Sequence, residues 1–537
     1  MFFTKNHGVI AAGHQATAQA GMEILNSGGN AFDGAIASML TSCVAEPGLT
    51  SLGGGGFFLA HTADHRNILY DFFPQTPVNK KPVRDLNFYP VDVNFGGSIQ
   101  EFHIGLGSMA VPGHIAGIFH IHAKLGKLPL RVVAEPAINY ARNGLMINNF
   151  QNYLMGILEP IFLASEAGRK IYASPAGKLL NQGDNLIMSD FANTLEYLVV
   201  EGAKAFYQGD IGKKLIDDCQ AQGGYLTVDD LAHYQVIERE PLLINYRGNT
   251  FLTNPPPSAG GTLIAFALEL LTKIDFTHIT FGTAEHLHIL ADVMRLTNIA
   301  RKSGFDQNIY QSNVIQEFLG ETNINYYQEM LVEQNNFVTQ KVNKLGSTTH
   351  ISVIDDQGNA ASVTTSNGEG SGYIIPGTGI MMNNMLGEED LHPHGFHQWQ
   401  TNVRISSMMS PTIVLKNDQP EIVLGSGGSN RIRTAILQVI SNIIDFKMSV
   451  RDAVNSPRVH WENNHFHIEP GFSPSELDQL NLPADNQINF WQEKNMFFGG
   501  VNTVLENTNG LISGAGDGRR DGVSLPDQGF CLNQLTN

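Results

Sequence analysis

The sequence predicts a mixed α+β protein in which two layers of strands lie between outer layers of helices. Apolar helix-like segments occupy the first part of the chain, two β-hairpin patterns follow residue 346, and another apolar helix follows the second hairpin. Helices and sheets of this kind bury their apolar faces against each other, which favours a helix–sheet–sheet–helix body. The 537 residues are enough for two or three modules or for one large layered domain.

The N-terminal segment is predicted to contain two helices and a buried strand. Residues 14–27 carry apolar side chains at helical spacing and stop at Gly28, where glycine can close the last helical turn. Residues 31–45 form a second apolar helix rich in small side chains. The glycines at 53–56 lead into the apolar run 57–60, which is typical of a buried strand.

Residues from about 129 to 273 show a mixture of helix and turn patterns. Pro112 suits the first turn of a helix over residues 113–125, because a proline lacks the N–H that this position leaves unpaired. The proline-rich break at 254–258 precedes an apolar helix over residues 262–271. Residues 306–343 are polar and rich in Asn and Gln, and we expect them to form an exposed segment.

Strand patterns begin after Gly346. Apolar and polar residues alternate over 349–354 and again over 360–366, with a polar turn between them. This pattern predicts a β-hairpin. Residues 412–415 and 422–424 form a second hairpin. Residues 430–446 then place isoleucine and valine on one face, which predicts an amphipathic helix.

The composition describes an acidic globular protein. Hydrophobic residues make up 42% of the chain and charged residues 16%, and the net charge is −18. An acidic protein repels polyanions, so the charge argues against nucleic acid as a partner. No run of 18 apolar residues indicates a membrane span. Polar residues 5–7 interrupt the apolar N-terminus, so we expect no signal peptide and a cytoplasmic location.

No metal site and no disulfide framework are predicted. The three cysteines are far apart in sequence, and none of the 19 histidines falls in an H-E-x-x-H pattern. His392, His394 and His397 are close in sequence, but Pro393 and Gly395 indicate a surface loop at that point.

Thr348 is the first candidate for catalysis. If the peptide bond before it is cut, its hydroxyl becomes a nucleophile and its own freed α-amine, with a pKa of roughly 8, becomes the base. The hydroxyl can also attack that preceding bond itself, and the small residues Gly346 and Ser347 allow the loop to bend. On local sequence alone, the simpler interpretation is that Thr348 and Thr349 begin a strand, where β-branched residues are common.

Two glycine-rich turns are the other candidates for a role in catalysis or ligand binding. The turn at 425–429 precedes the long C-terminal helix and could offer backbone N–H groups to an oxyanion or a phosphate, or be a plain tight turn. It lacks the Gly-Lys-Ser/Thr ending of a P-loop. The glycines at 53–56 do not follow the G-x-G-x-x-G pattern of dinucleotide-binding sites. We expect instead that they let the backbone pack closely against a catalytic strand. No Gly-x-Ser-x-Gly nucleophile elbow occurs in the chain.

Taken together, the motifs resemble those of the γ-glutamyltranspeptidase family over nearly the whole chain. The matching segments occur in the family's order. They are the stretches at 28–33, 46–47 and 53–57, 111–113, 348–350 with 356–359, 379–384, 410–412, 457–458, 499–501 and 519–522.

The resemblance implies a four-layer αββα sandwich of the N-terminal-nucleophile hydrolase type, made as a precursor that cuts itself. The cut would fall between Ser347 and Thr348 and leave a large subunit, residues 1–347, and a small subunit, residues 348–537, together as a heterodimer. The family transfers a γ-glutamyl group from glutathione or a related amide to water or an amine. It works through a threonyl ester and uses no metal or organic cofactor.

The resemblance also implies roles for individual residues. Gly427 and Gly428 would form the oxyanion hole beside Thr348. Apart from the resemblance, Ser366 in the second strand of the hairpin is a candidate hydroxyl to orient Thr348, and a strand serine facing the surface is an equally good interpretation. The substrate-binding positions that the resemblance implies are Asn367, Glu388 and Ser407.

Three departures from the family pattern indicate a different acyl group. Phe73 stands where the family has an arginine that binds the substrate carboxylate, and Met408 replaces one carboxylate-binding serine beside Ser407. Met385 replaces a glutamine. We therefore consider a γ-glutamyltransferase or hydrolase, an acylase resembling the cephalosporin and glutaryl acylases, and a non-catalytic binding homologue. Thr348 with its small neighbours and glycine-rich turn argues for an enzyme.

Overall fold

The computed structural model describes residues 7–94, 99–333, 346–392, 395–480, 482, 487–507, 510–526 and 530–531. The described part of the chain through residue 333 is rich in helices. Its helices are α1 (Gln15–Asn26), α2 (Ala31–Ala45), α3 (His114–Leu125), α4 (Leu130–Asn143), α5 (Asn149–Ile157), α6 (Glu159–Phe162), α7 (Glu166–Tyr172), α8 (Ser189–Glu201), α9 (Lys204–Tyr207), α10 (Asp210–Gln222), α11 (Val228–Ala232), α12 (Gly260–Leu271), α13 (Ala284–Ala300), α14 (Asp306–Asn308), α15 (Val314–Phe318) and α16 (Glu321–Glu333). Its strands are β1 (Gly8–Ala12), β2 (Gly55–His61), β3 (Asn67–Asp71), β4 (Tyr89–Asn94), β5 (Ile99–Ile104), β6 (Leu145–Met146), β7 (Asn185–Leu186), β8 (Ile237–Arg239), β9 (Leu242–Tyr246) and β10 (Asn249–Thr253).

The segment after residue 346 is rich in strands. These are β11 (Thr349–Asp355), β12 (Ala360–Ser366), β13 (Thr412–Lys416), β14 (Gln419–Gly427), β15 (Val459–Glu462), β16 (His465–Ile468), β17 (Gln487–Phe490), β18 (Gly500–Glu506), β19 (Leu511–Ala515), β20 (Val523–Leu525) and β21 (Phe530–Cys531). Its helices are α17 (Arg431–Ile444), α18 (Val450–Asn455) and α19 (Pro474–Leu477).

Two seven-stranded sheets form the centre of the molecule. The first has the order β20-β1-β11-β12-β2-β3-β8 and the second β21-β19-β18-β14-β13-β10-β9. Neighbouring strands within each sheet are antiparallel. Strands on both sides of the predicted cut enter each sheet, so residues before 348 and after it build one shared body.

The two sheets pack against each other, and helices cover their outer faces. Strand β11 contacts β14 and β18 across the interface, α1 and α2 contact the first sheet, and α12 and α17 contact the second. Successive residues of β1 face opposite sides, since Val9 and Ala11 belong to one apolar core and Ile10 and Ala12 to the other. The predicted α+β class is therefore confirmed.

Local signals explain the helices that begin the chain. Asn30 caps α2 by accepting hydrogen bonds from the N–H groups of Phe32 and Asp33, and the Asp33 carboxylate accepts from the Asn30 N–H in return. This reciprocal capping box satisfies donors that the first turn leaves free. Gly28 has a φ of 94° between α1 and α2, a conformation that glycine adopts without strain.

The expectation of an exposed segment over residues 306–343 holds for only some of its described residues, because others are buried within helices. Helices α14 to α16 fold there, and α15 and α16 pack on α12, where the Phe266 ring lies 4.7 Å from the Phe318 ring and 5.4 Å from the Tyr327 ring. The widely spaced apolar residues of these helices pack on α12, a contact that sequence periodicity does not predict. Residues 334–343 lie outside the described residues.

Helix α17 also differs from the amphipathic helix that the sequence predicts, because all 14 of its residues are buried. Its polar side chains face other protein groups rather than water. Arg433 donates to Asn298 Oδ1 at 2.6 Å and Gln438 to the Val459 carbonyl at 2.9 Å. Tertiary partners thus replace solvent on the polar face.

Among the described residues, no helix combines the length and apolar character needed to cross a bilayer. The same part of the chain holds no group of three or more side chains suited to binding a metal ion. Cys43 and Cys219 are buried free thiols.

Candidate active site

Thr348 lies directly before β11, near the middle of the first sheet, where β11 pairs with β1 and β12. Its side chain is buried, and it borders a cleft between the two sheets' ends. Gly346 and Ser347 precede it and line the same cleft. The bond that the sequence predicts to be cut is therefore at the edge of an open space.

The peptide before Thr348 is held from several sides. Ser366 Oγ donates to the Ser347 carbonyl oxygen at 2.7 Å, and the Ser347 N–H donates to Glu369 Oε1 at 3.3 Å. The Arg520 guanidinium donates at 3.4 Å to the carbonyl oxygens of Gly346 and Thr348, on either side of that peptide. Ser366 thus holds the carbonyl that a Thr348 hydroxyl would attack, and Glu369 and Arg520 hold the backbone around it.

The turn at Gly427-Gly428 lies against Thr348. Gly427 ends β14, and a Cβ atom placed on it would lie 2.1 Å from the Thr348 carbonyl oxygen, so a side chain is excluded there. Gly428 has a φ of 125°, which also favours glycine. This close approach is consistent with the predicted oxyanion-hole position, which remains a prediction.

A buried carboxyl lies beneath the next residue along the strand. Glu46 accepts hydrogen bonds from Thr349 Oγ1 at 2.5 Å and from Thr17 Oγ1 at 2.7 Å. Burial raises the pKa of Glu46 to about 7, although both hydroxyl bonds oppose the shift. The start of β11 therefore rests on a carboxyl that titrates near neutral pH.

The cleft beside Thr348 has a cavity volume of about 190 Å³. Its walls are largely apolar, and Phe73 is one of them, with its ring stacked on Phe57 at 5.4 Å. The apolar and aromatic residues that line it are Phe73, Ile309, Tyr310, Met385, Leu391, Trp399, Val403, Ile405, Met408, Met409 and Ile432.

The charged groups of the cleft are mostly negative. Glu388, Asp390 and Asp306 line it, and Arg301 is the one lysine or arginine among its described lining residues. Arg301 is already engaged, because its Nε lies 2.8 Å from Asp306 Oδ2. Ser429 Oγ donates to Asp390 in turn. The cleft therefore favours cationic or neutral groups over anions.

A second arginine lies behind Phe73 but does not reach the cleft. Arg404 pairs with Asp71 at 3.2 Å and donates to the Phe73 carbonyl at 2.8 Å. Arg239 pairs with the same Asp71 at 2.8 Å. The bonds of Arg404 to Asp71 and to the Phe73 carbonyl direct its guanidinium into the protein. The aromatic ring of Phe73 therefore forms this part of the cleft wall.

Glu369 and Glu388 come close together beside the predicted cut. Both are near Gly368, and a Cβ atom on Gly368 would lie 2.1 Å from Glu388 Oε1. Glu369 is 1% exposed. Burial, followed by repulsion from Glu388, raises the pKa of the Glu369 carboxyl well above its usual range.

The structure brings most of the predicted site residues together. Ser366, Glu388 and Ser407 line the cleft with Thr348, and Ser407 Oγ accepts from the Met409 N–H at 3.1 Å. Asn367 is not among the lining residues, since its buried amide faces the Met382 carbonyl at 3.4 Å. Its predicted contact with substrate stays a prediction.

The predicted surface loop fits Gly395, which is exposed, but not His392. His392 is 5% exposed, lines the cleft, and donates from Nε2 to the Met385 carbonyl at 2.8 Å. Burial lowers the pKa of His392 to about 4, so the ring is neutral. His394 lies outside the described residues.

Sequence reasoning did not single out Glu46, Glu369 or Arg520 as site residues. Glu46 and Arg520 stand in segments that the resemblance covers, which is the signal that could have led to them. Glu369 follows the end of β12 by three positions and carries no local pattern of its own.

Comparison with known proteins agrees with this geometry. The family model described as gamma-glutamyltranspeptidase matches residues 17–526. The chain belongs to the gamma-glutamyltranspeptidase family. As a member of this family it is an N-terminal-nucleophile amidohydrolase, and the family resemblance inferred from the motifs is confirmed.

Two relatives within the gamma-glutamyltranspeptidase family that are equally similar to this chain carry different names. The Acylase ACY 1 proenzyme of Pseudomonas sp. (strain SE83) is 30% identical over 533 residues, which cover 98% of this chain and 94% of that protein. The Glutathione hydrolase proenzyme of Escherichia coli (strain K12) is 30% identical over 537 residues, covering 95% of this chain and 90% of that protein. The identities do not separate the two activities.

A solved structure of similar fold is the cephalosporin acylase from Bacillus halodurans. It superposes with a TM-score of 0.84 at 25% identity and covers 97% of this chain and 96% of its own. The fold is thus that of a gamma-glutamyltranspeptidase family enzyme over nearly its whole length.

Proposed function

We propose that the chain is a proenzyme of the αββα, N-terminal-nucleophile type that cuts itself between Ser347 and Thr348. Residues 1–347 and 348–537 then stay together as a heterodimer, because strands from both parts share each sheet. The observation that carries this proposal is the 2.7 Å hydrogen bond from Ser366 Oγ to the Ser347 carbonyl, the group that the neighbouring Thr348 hydroxyl would attack.

In the self-cutting step, Thr348 Oγ attacks the Ser347 carbonyl carbon. The bond from that carbon to the Thr348 nitrogen breaks, the nitrogen takes a proton, and Ser347 becomes esterified to Thr348 Oγ. Water then hydrolyses the ester to a Ser347 carboxylate and a free Thr348 hydroxyl. Ser366 supports the attack, because its hydroxyl already donates to the oxygen on which negative charge develops.

In turnover, the freed Thr348 amine accepts the proton of its own hydroxyl as that hydroxyl attacks an amide substrate. The amide's amine leaves with a proton, and the acyl group stays on Thr348 as an ester. Water or an acceptor amine then removes it. Backbone N–H groups at Gly427 and Gly428 are the proposed donors to the oxyanion in both steps.

We infer that the preferred acyl group carries no carboxylate. An acyl carboxylate would meet the Phe73 ring, because Arg404 is tied to Asp71 and Arg301 to Asp306. Loss of a charge-assisted contact in a buried site costs on the order of 2–5 kcal/mol. Glu388 remains as a partner for an amine. These features favour an acylase over a glutathione hydrolase.

A glutathione hydrolase is the second candidate. The relative from Escherichia coli of that name is as similar as the Pseudomonas acylase. Ser407 on the cleft wall could still bind an acyl carboxylate. A non-catalytic binding protein fits less well, because it gives no reason for the contacts of Ser366 and Arg520 around the Ser347 peptide.

Four anilides separate these candidates. The γ-glutamyl p-nitroanilide carries an amine and a carboxylate, the 4-aminobutanoyl compound the amine alone, the glutaryl compound the carboxylate alone, and the butanoyl compound neither. We expect the 4-aminobutanoyl and butanoyl compounds to have the higher kcat/KM. A clear preference for γ-glutamyl would support glutathione hydrolysis, and no turnover of any anilide by a correctly cut protein would favour the binding homologue.

A further inference from the structure

Ser429 has a backbone conformation that serine rarely adopts. It follows Gly428 in the turn between β14 and α17, and its φ is 50°. A residue with a Cβ atom is strained in this left-handed region, and such strain persists only where the surrounding structure fixes the residue. Gly428 also has a positive φ, but as a glycine it needs no support. Ser429 is therefore the position in this turn that needs an anchor.

The anchor is a hydrogen bond that Ser429 Oγ donates to Asp390 Oδ2. Asp390 lies in the short 3₁₀ helix Glu389–Leu391, 39 positions earlier in the chain, so the bond joins two separate segments. Arg301 and Arg431 both interact electrostatically with Asp390. Hydrogen bonds to a carboxylate are stronger than those between neutral groups. Asp390 can therefore hold the Ser429 backbone against its strain.

The turn that contains Ser429 contacts the reaction centre at two points. Gly427 and Gly428, here called the oxyanion turn, are the proposed donors to the oxyanion, and Gly427 lies against the Thr348 carbonyl. Gly346 packs on Ser429, since a Cβ atom on Gly346 would lie 2.6 Å from Ser429 Cβ. A change of φ at Ser429 would rotate the peptide that it shares with Gly428. The oxyanion turn would then shift relative to Thr348.

We propose that Asp390 is a positioning residue for catalysis, which holds Ser429 in its left-handed conformation and so keeps the oxyanion turn directed at Thr348. This inference rests on the proposed function, because it needs that turn to act as the oxyanion hole. Asp390 acts through Ser429 and touches no reacting atom. A misplaced oxyanion donor weakens binding of the transition state more than binding of the substrate. Loss of Asp390 should therefore lower kcat and leave KM nearly unchanged.

The test is the rescue of one substitution by another, measured on protein that gels show to be cut. Asp390→Ala should lower kcat for butanoyl p-nitroanilide, whose acyl group is uncharged, by about tenfold or more, with KM within about twofold. Ser429→Gly should keep kcat within about threefold of the wild-type value, because glycine adopts a positive φ without an anchor. The double variant should match Ser429→Gly, so that the second substitution restores what the first removes.

Ser429→Ala removes the same hydrogen bond from its other end and keeps the Asp390 charge. It should lose as much kcat as Asp390→Ala, and it replaces that variant if Asp390→Ala does not fold. If Asp390→Ala folds but stays uncut, recovery of self-cutting in the double variant is the equivalent test.

Asp452→Ala is the matched control. Ser449 Oγ donates to Asp452 Oδ2 at 2.6 Å at the start of α18, and neither residue is among the described residues that line the cleft. This variant also loses a serine–aspartate hydrogen bond, and it should leave kcat and KM unchanged.

The outcomes separate this inference from the proposed function. Unchanged kcat in both Asp390→Ala and Ser429→Ala would overturn the positioning role. A loss that Ser429→Gly does not restore, or a change confined to the KM of the 4-aminobutanoyl compound, would also overturn it, because Asp390 would then act directly on the substrate or on the fold. None of these results bears on self-cutting of the wild-type chain. A wild-type chain that remains whole would instead overturn the proposed function itself.

Discussion

Ser366 and Ser347 lie 19 positions apart and are joined by a 2.7 Å hydrogen bond from the Ser366 hydroxyl to the Ser347 carbonyl. The Ser366 oxygen also accepts the Gly368 N–H at 3.0 Å, which fixes its orientation. The donor is therefore in place before any bond is broken, as electrostatic preorganisation requires.

The first prediction concerns this donor. Ser366→Ala should slow self-cutting by about 10² to 10³, the usual effect of removing one oxyanion donor. Ser366→Thr should restore most of the rate, since it returns the hydroxyl. A time course on denaturing gels measures both. Ser27→Ala, which removes an exposed serine bond to the Glu23 carbonyl, is the control; equal rates in Ser366→Ala and Ser27→Ala would exclude a role for Ser366.

The second prediction concerns the nucleophile. Thr348→Ala should abolish both self-cutting and anilide turnover, because one hydroxyl serves both steps. Thr348→Ser should keep a measurable part of each. Sequencing the smaller fragment of the wild-type protein should begin at Thr348. Turnover by the alanine variant, or a fragment that begins elsewhere, would contradict the assignment.

Local signals in the sequence account for the parts of the fold that were predicted well. The helix expected over residues 31–45 and the strand over 360–366 match α2 and β12 at both ends. In each case the pattern and its boundary lie in neighbouring residues. The buried side chains within residues 306–333 were missed because their burial depends on α12, which lies far away in sequence.

The residues of the candidate site also fall into those that local motifs indicate and those that only the folded structure brings there. Thr348 and the Gly427-Gly428 turn carry local motifs, so the sequence could indicate them. Arg520 could not be assigned a contact, because it reaches the Thr348 carbonyl from 172 positions away. Glu369 was missed because its importance comes from burial beside Glu388, which follows from packing and not from any motif.

The third prediction tests the wall formed by Phe73. Phe73→Arg should raise kcat/KM for glutaryl p-nitroanilide relative to the butanoyl compound by about tenfold or more, because it adds a partner for the acyl carboxylate. Phe73→Leu, which changes the shape without adding charge, should leave that ratio unchanged. Both are measured on protein that gels show to be cut. A ratio that moves equally in the two variants would mean that Phe73 controls shape alone.

The last prediction concerns Glu46. Its folded pKa of about 7 lies above the usual 4.5, so the folded state binds the proton more tightly than the unfolded state. The stability from this difference is complete below pH 4.5 and disappears as pH rises through 7. By linkage it amounts to about 3 kcal/mol.

Glu46→Gln removes this titration while keeping a group that can bond Thr17 and Thr349. Both proteins are best compared with Thr348→Ala added, so that each remains one chain. The melting temperature of the protein that keeps Glu46 should fall relative to that of the Glu46→Gln variant between about pH 5 and 8. If the melting temperatures of the two proteins change with pH in the same way over that range, the Glu46 carboxyl is ionised throughout. Thr349 would then contact a carboxylate rather than a neutral acid.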